Sequence, residues 1–211
     1  MRRLPLIVTV AACVVAAVSF VSATAGVAVA HPGHGGHFED GFRHPLLGLD
    51  HLLAMIAVGL LAVRIGGKAL WLTPTMFLTA IVGGGIVASS RSFATASFAN
   101  NFVQFGVACS VLGLGLLIAM RKDIRLVFGL GLVALFGSFH GFAHIAGSGM
   151  GSGAGSIVAP YSAGFLAATA LLHIAGIAAG ILLAKVSRRH SWQLTGASCC
   201  VLGTLMLLGI V

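Results

Sequence analysis

His44-Pro45-Leu46-Leu47-Gly48-Leu49-Asp50-His51-Leu52-Leu53-Ala54-Met55 is the stretch on which the reading of the whole chain turns. Continued to Val63, it is long enough to enter a bilayer, whose crossing takes about 20 mostly apolar residues. Yet it carries a carboxylate and imidazoles in a chain whose acids are Glu39, Asp40, Asp50 and Asp123 alone. An ionisable side chain at membrane depth costs roughly 2.5–3.5 kcal/mol on insertion scales and by default marks a functional pathway. Carboxylate and imidazole are also metal ligands, one hard and the other borderline. The stretch therefore reads as a membrane helix with metal-binding chemistry.

Composition places the rest of the chain in the same class. Hydrophobic residues make up 58% and charged residues 8% of 211, far from a soluble domain. A formal charge of +8 does not form a lattice that would bind nucleic acid. The basic residues cluster instead in three loops: Arg64 and Lys68; Arg121, Lys122 and Arg125; Lys185, Arg188 and Arg189. Arg43 and Arg91 fall on the other side. The positive-inside rule makes the three-loop side cytoplasmic.

Residues 1–30 read as a secretory signal. Arg2 and Arg3 precede an apolar stretch from Leu4 to Val21, and Ala28-Val29-Ala30 is an A-x-A cleavage site. The apolar stretch is long, so an uncleaved first helix is the alternative. Six spans follow, at about 45–63, 69–88, 102–120, 124–146, 157–184 and 192–211, with boundaries good to a few residues. The expected organisation is a signal peptide (1–30), a His-rich periplasmic N-terminus (31–44) and an all-α six-helix membrane bundle (45–211). An even number of spans puts the mature N-terminus and the C-terminus both in the periplasm of a bacterial inner membrane. Small residues such as Gly176 and Gly180, a G-x-x-x-G pair, read as helix packing. Residues 147–156 are Gly/Ser-rich and read as an outer loop. Cys109, Cys199 and Cys200 lie in apolar spans and read as packing residues.

Of the nine histidines, only His190 falls on the cytoplasmic side. On a continuous helix beginning at Pro45, His44 and His51 share a face but lie about 10 Å apart along the axis. Nitrogens on one ion, each about 2.1 Å from it, cannot be that far apart, so this reading gives His44 an entry site above a deeper one. Met55 follows His51 by one turn and is a candidate thioether ligand. His140 and His144 are an i, i+4 pair, the spacing by which a helix offers two imidazoles to one ion. If the first and fourth spans pack together, Asp50, His51, His140 and His144 form a mixed N/O site, which His173 completes or relays. His31, His34 and His37 read as a flexible outer metal collector.

These motifs resemble the HupE/UreJ family. His44-Pro45, Gly48-Leu49-Asp50-His51, Met55, Val58-Gly59, Phe139-His140-Gly141, Ala143-His144 and the run Gly66–Trp71 carry the resemblance over essentially the whole mature chain. The resemblance implies a secondary nickel permease linked to hydrogenase and urease maturation, or a cobalt-transporting relative, with metal contacts at His44, Asp50, His51, His140 and His144. Two departures stand out. An acid after the second motif is absent around Ile145, and one near the start of the third span is Gln104. With fewer carboxylates, less charge is left to stabilise a divalent cation.

The expectation is thus a non-enzymatic permease importing Ni²⁺ or Co²⁺ as its substrate. It holds no permanent cofactor, sits in the lipid bilayer, binds no nucleic acid, and admits a homo-oligomer. The rival readings are a membrane cytochrome with haem held by His51 and either His140 or His173, and a metal-dependent membrane enzyme.

Overall fold

A computed structural model describes residues 37–88, 97–120, 123–147, 155–186 and 190–211. The signal (1–30), His31, His34, Arg91, Arg121, Lys122, Arg188, Arg189 and most of the Gly/Ser-rich segment lie outside the described residues. The helices are α1 (Phe38–Leu47), α2 (Leu49–Ile65), α3 (Ala69–Ala88), α4 (Ser97–Ala119), α5 (Leu126–Gly147), α6 (Gly155–Val186) and α7 (His190–Leu207). No strand occurs among the described residues.

The first expected span is not one straight helix. Helix α1 begins at Phe38, ahead of Pro45, and meets α2 at an 82° bend. Pro45 has no N–H to continue the α1 ladder. Three residues later Gly48 takes an extended conformation, φ −80° and ψ 117°. Its N–H donates to the His44 carbonyl at 3.1 Å and closes α1; its own carbonyl accepts from the Leu52 N–H at 2.9 Å and opens α2. A Cβ at Gly48 would lie 3.0 Å from Asp50 Oδ1 and 3.1 Å from His51 Nδ1. Glycine therefore leaves room for the two side chains that the bend presents.

Helix α2 is the axis of the bundle. Between His51 and Ala62 every residue except Ile56 is buried. Its 17 residues rise about 25 Å, so α1 is needed to complete a crossing. Helices α3, α4 and α6 surround α2, while α5 packs on α3, α7 on α4, and α1 on α6. The α2–α6 contact is a backbone contact: a Cβ at Gly59 would collide with the His173 carbonyl oxygen, and one at Gly176 with that of Ile56. Gly180, the partner of Gly176 in the G-x-x-x-G, faces Val63 of α2, which bears out the packing reading of that pair.

Helices α3, α4, α5 and α6 contain segments long and apolar enough to cross a membrane, and the bent α1–α2 pair meets the same measure only when its two helices are taken together. The 18-residue α7 does not meet that measure; it carries Ser191, Gln193, Thr195, Ser198 and Thr204. The outward faces expose Ile86, Phe105, Val127, Leu135, Ile174 and Val201. A bundle with apolar residues on both its inner and outer faces suits lipid rather than water. This is a multi-pass membrane protein.

The two ends differ in chemistry. The Arg64 guanidinium donates to the Met120 carbonyl at 2.8 Å, tying the end of α2 to the end of α4. Gly129, one turn into α5, lies beside Ile65, and Gly180 of α6 beside Val63. Arg64, Lys68, Arg125 and Lys185 therefore gather at one end, as the loop reading expects. Gly66 and Gly67, with φ of 78° and 54°, make the tight turn there; this left-handed region is one that glycine enters without a Cβ penalty. The histidine-bearing bend lies at the opposite end.

Candidate metal centre

The bend changes which imidazoles meet. Because α1 turns back at Gly48, His44 in its last turn lies with its ring centroid 5.5 Å from that of His51. The straight-helix expectation, which kept His44 at a separate entry site, is corrected by this break. The α5 ring of His144 lies 4.6 Å from His44 and 4.6 Å from His51. One ring nitrogen from each of the three falls within 4.8 Å of the other two. With metal–nitrogen bonds of about 2.1 Å, two ligating nitrogens are at most about 4.2 Å apart. Three nitrogens on one ion cannot all be more than about 3.6 Å apart, so the trio closes by up to about 1.2 Å to hold one ion in a trigonal arrangement.

Burial grades the site. His44 is exposed, while His51 and His144 are buried, so the cluster opens outward at His44. His144 packs against Phe165 of α6 with centroids 3.8 Å apart. Neither nitrogen of His144, nor Nε2 of His51, has a hydrogen-bond partner among the described residues. Buried polar atoms are paired in the great majority of folded proteins; lone pairs converging without partners suit a cation.

Asp50 fixes which nitrogen of His51 is available. Its Oδ1 accepts the His51 backbone N–H at 2.8 Å and lies 2.6 Å from His51 Nδ1. An ionised carboxylate only accepts, so Nδ1 carries the proton and the lone pair is left on Nε2. Carboxylate–imidazole–metal arrangements of this kind orient the ring and raise its basicity. Asp50 thus acts on the trio through His51, and its negative charge lies beside the place where a dication would sit.

His140 is held in the same manner by a residue that sequence reasoning did not single out. Ser110 of α4 donates its one proton to the Val107 carbonyl at 2.6 Å. Its Oγ is 3.0 Å from His140 Nε2 and must accept there. Nε2 is then the protonated nitrogen, and Nδ1, which has no partner among the described residues, keeps its lone pair. The His140 ring is fully buried, 4.9 Å from His51. Gly141 lets α5 come this close: a Cβ there would collide with the Ile81 carbonyl oxygen of α3. Replacing Ser110 with Ala strips the acceptor from His140 and frees its tautomer. If a divalent metal is bound through His140 Nδ1, its affinity falls about 10- to 100-fold in this variant, the usual cost of losing such an orienting partner. Titration of the purified variant reads this, and unchanged affinity would remove Ser110 from the site.

The remaining candidates are Met55, His173 and His37. Met55 is fully buried within the apolar core that includes Leu52, Val58 and Leu114. His173 is in contact with Phe77, whose ring is 5.5 Å from His140 and 5.3 Å from His173. His37 is exposed at the N-terminus of α1. Helices α2 and α5 touch little along their backbones; they meet through the rings of His51, His140 and His144. The expected juxtaposition of spans one and four holds at the side-chain level.

Residues 16–206 match the family described as HupE / UreJ protein. The chain belongs to the HupE/UreJ family. Protein HupE of Rhizobium leguminosarum bv. viciae is 33% identical over 192 residues, which cover 90% of this chain and 95% of that protein. No solved structure matches the chain. Membership in HupE/UreJ confirms the resemblance read from the two histidine motifs. One departure also finds its place: Gln104 is exposed and sits about 120° around α4 from Ser110. It is on the outer surface of this HupE/UreJ bundle, away from the face that holds His140.

Proposed function

We propose that this HupE/UreJ protein is an inner-membrane permease that imports a divalent transition metal, Ni²⁺ or Co²⁺. The observation that carries the reading is the trio His44, His51 and His144, three imidazoles from three helices with ligand atoms within 4.8 Å of one another. Imidazole suits nickel and related borderline metals, whereas an all-oxygen shell would suit magnesium or calcium. Asp50 supplies the charge that a partly dehydrated dication needs. The exposed His44 faces the periplasm, and the Arg64/Lys68/Arg125/Lys185 end faces the cytoplasm under the positive-inside rule. In this reading the α1–α2 pair is one broken span and α7 the sixth crossing, so both mature termini are periplasmic. Broken helices are the usual way transporters place a binding site inside the bilayer. The sequence holds no nucleotide-binding loop, so movement follows the metal gradient or a coupled ion.

Haem held between His51 and His140 is not favoured by this geometry. The His51 and His140 rings are 4.9 Å apart and perpendicular, leaving no slot for a macrocycle between them.

Elemental analysis of cells grown with micromolar Ni²⁺ or Co²⁺ tests the proposal. Cells expressing the chain should accumulate one of these metals several-fold above cells that lack it. His144→Ala should return accumulation to the background at unchanged membrane abundance. Equal metal content with and without the chain would refute the function.

A further inference from the structure

His173 is left without a role by the outer site. It is 1% exposed, and neither ring nitrogen has a hydrogen-bond partner among the described residues. A buried N–H without a partner is destabilising, a cost that an apolar residue here would avoid. Its depth is fixed by packing: the His173 carbonyl meets Gly59, nine residues beyond Asp50 along α2. That is about 13 Å farther toward the basic end. Side chains of a helix lean toward its N-terminus, so the ring of His173, on the outer-to-inner helix α6, leans back up toward Phe77. Phe77 is fully buried, and its ring centroid lies 5.5 Å from that of His140 and 5.3 Å from that of His173. One turn nearer the basic end of α3, the fully buried Thr73 also has an Oγ1 without a partner among the described residues.

We propose that His173 is a second, inner station for the divalent metal, reached from the outer cluster by way of His140 and the Phe77 ring that contacts both. This rests on the metal-permease reading above and adds to it a stepwise path. The ion passes from the His44/His51/His144 trio to Nδ1 of His140, then past the Phe77 ring to His173, with Thr73 Oγ1 as the oxygen donor on the cytoplasmic side. With one imidazole and no carboxylate, the inner station binds more weakly than the outer one. That order suits conduction, which needs each site to release what it takes.

The test is Co²⁺ titration of the full chain in lipid nanodiscs, combined with uptake into proteoliposomes. The unaltered protein should bind about two ions per chain, one tight and one weak. His173→Gln should lose the weak ion, keep the tight one at unchanged affinity, and take up Co²⁺ at least about tenfold more slowly. The retained tight ion certifies that the variant is folded. Thr73→Val should weaken only the second ion. Binding of a single ion by the unaltered protein, two ions by His173→Gln, loss of both ions together, or undiminished uptake would each overturn the inner station. His51→Ala separates the two ideas. It should abolish tight binding; if the tight ion survives, the outer-site reading fails, while the weak ion still reports on His173.

Discussion

Asp50→Asn is expected to abolish metal uptake while leaving the protein in the membrane at normal abundance. The carboxylate does two things that an amide does not. It accepts the His51 Nδ1 proton in a 2.6 Å charge-assisted contact, holding Nε2 toward His44 and His144. It also places a negative charge in a bundle whose buried polar groups are otherwise neutral or cationic. An asparagine oxygen can still accept from Nδ1, but its NH₂ can also rotate in and donate, favouring the wrong tautomer. The lost charge is the heavier loss, because a dication at the trio then has only Glu39 and Asp40, in the first turn of α1, among the acids of the described helices to offset it. Losing an orienting partner alone costs about 10- to 100-fold, and removal of the charge adds to that, so uptake should fall by more than about 100-fold. Uptake assays paired with quantitation of the membrane fraction check this. A variant that accumulates metal normally would separate Asp50 from transport.

The second large effect is on assembly. Gly59→Leu should prevent the bundle from forming, since a side chain there meets the His173 carbonyl oxygen and the Ile177 amide nitrogen, 2.7 Å from the Cβ position. Backbone cannot yield as a flexible side chain can, so α2 and α6 must move apart. Both the central helix and the inner imidazole lose their place. Overpacking in soluble cores costs about 1–3 kcal/mol; a backbone collision at the axis of the bundle exceeds that range. Gly131→Leu is the matched control: a Cβ at Gly131 meets nothing within 4 Å, and the position is on the outer face of α5. Size-exclusion profiles in mild detergent should show Gly59→Leu lost or aggregated and Gly131→Leu monodisperse. Identical behaviour of the two would contradict the α2–α6 packing.

What the sequence made legible follows from which signals survive in lipid. Hydropathy and the placement of Arg64, Lys68, Arg125 and Lys185 report the class and the two ends directly, because transfer into a bilayer depends on composition. The i, i+4 spacing of His140 and His144 survives too, since helical geometry is fixed. The bend at Gly48 was hidden. Leu46, Leu47, Leu49 and Leu52 keep the hydrophobicity unbroken across it, and an apolar run says nothing about direction. Pro45 and Gly48 were its only trace, and Pro45 read as a helix start. Hence His44 was assigned a separate site. Ser110 was hidden for another reason. Ser110, Ser138 and Thr169 all place a hydroxyl on a carbonyl of the preceding turn, and only the arrival of His140 from another helix distinguishes Ser110. The contact of Phe77 with both His140 and His173 was hidden likewise, since Phe77 is one apolar residue among many in α3.

The claim under all of this is that three imidazoles from α1, α2 and α5 close on one metal ion. X-ray absorption of the Ni²⁺-loaded full chain, with His44→Ala alongside, tests it most directly. The account predicts a nitrogen-rich shell with the multiple-scattering pattern of several imidazoles, lacking a sulfur shell, and one imidazole fewer in His44→Ala. A shell of oxygens alone, or a spectrum that His44→Ala leaves unchanged, would contradict it.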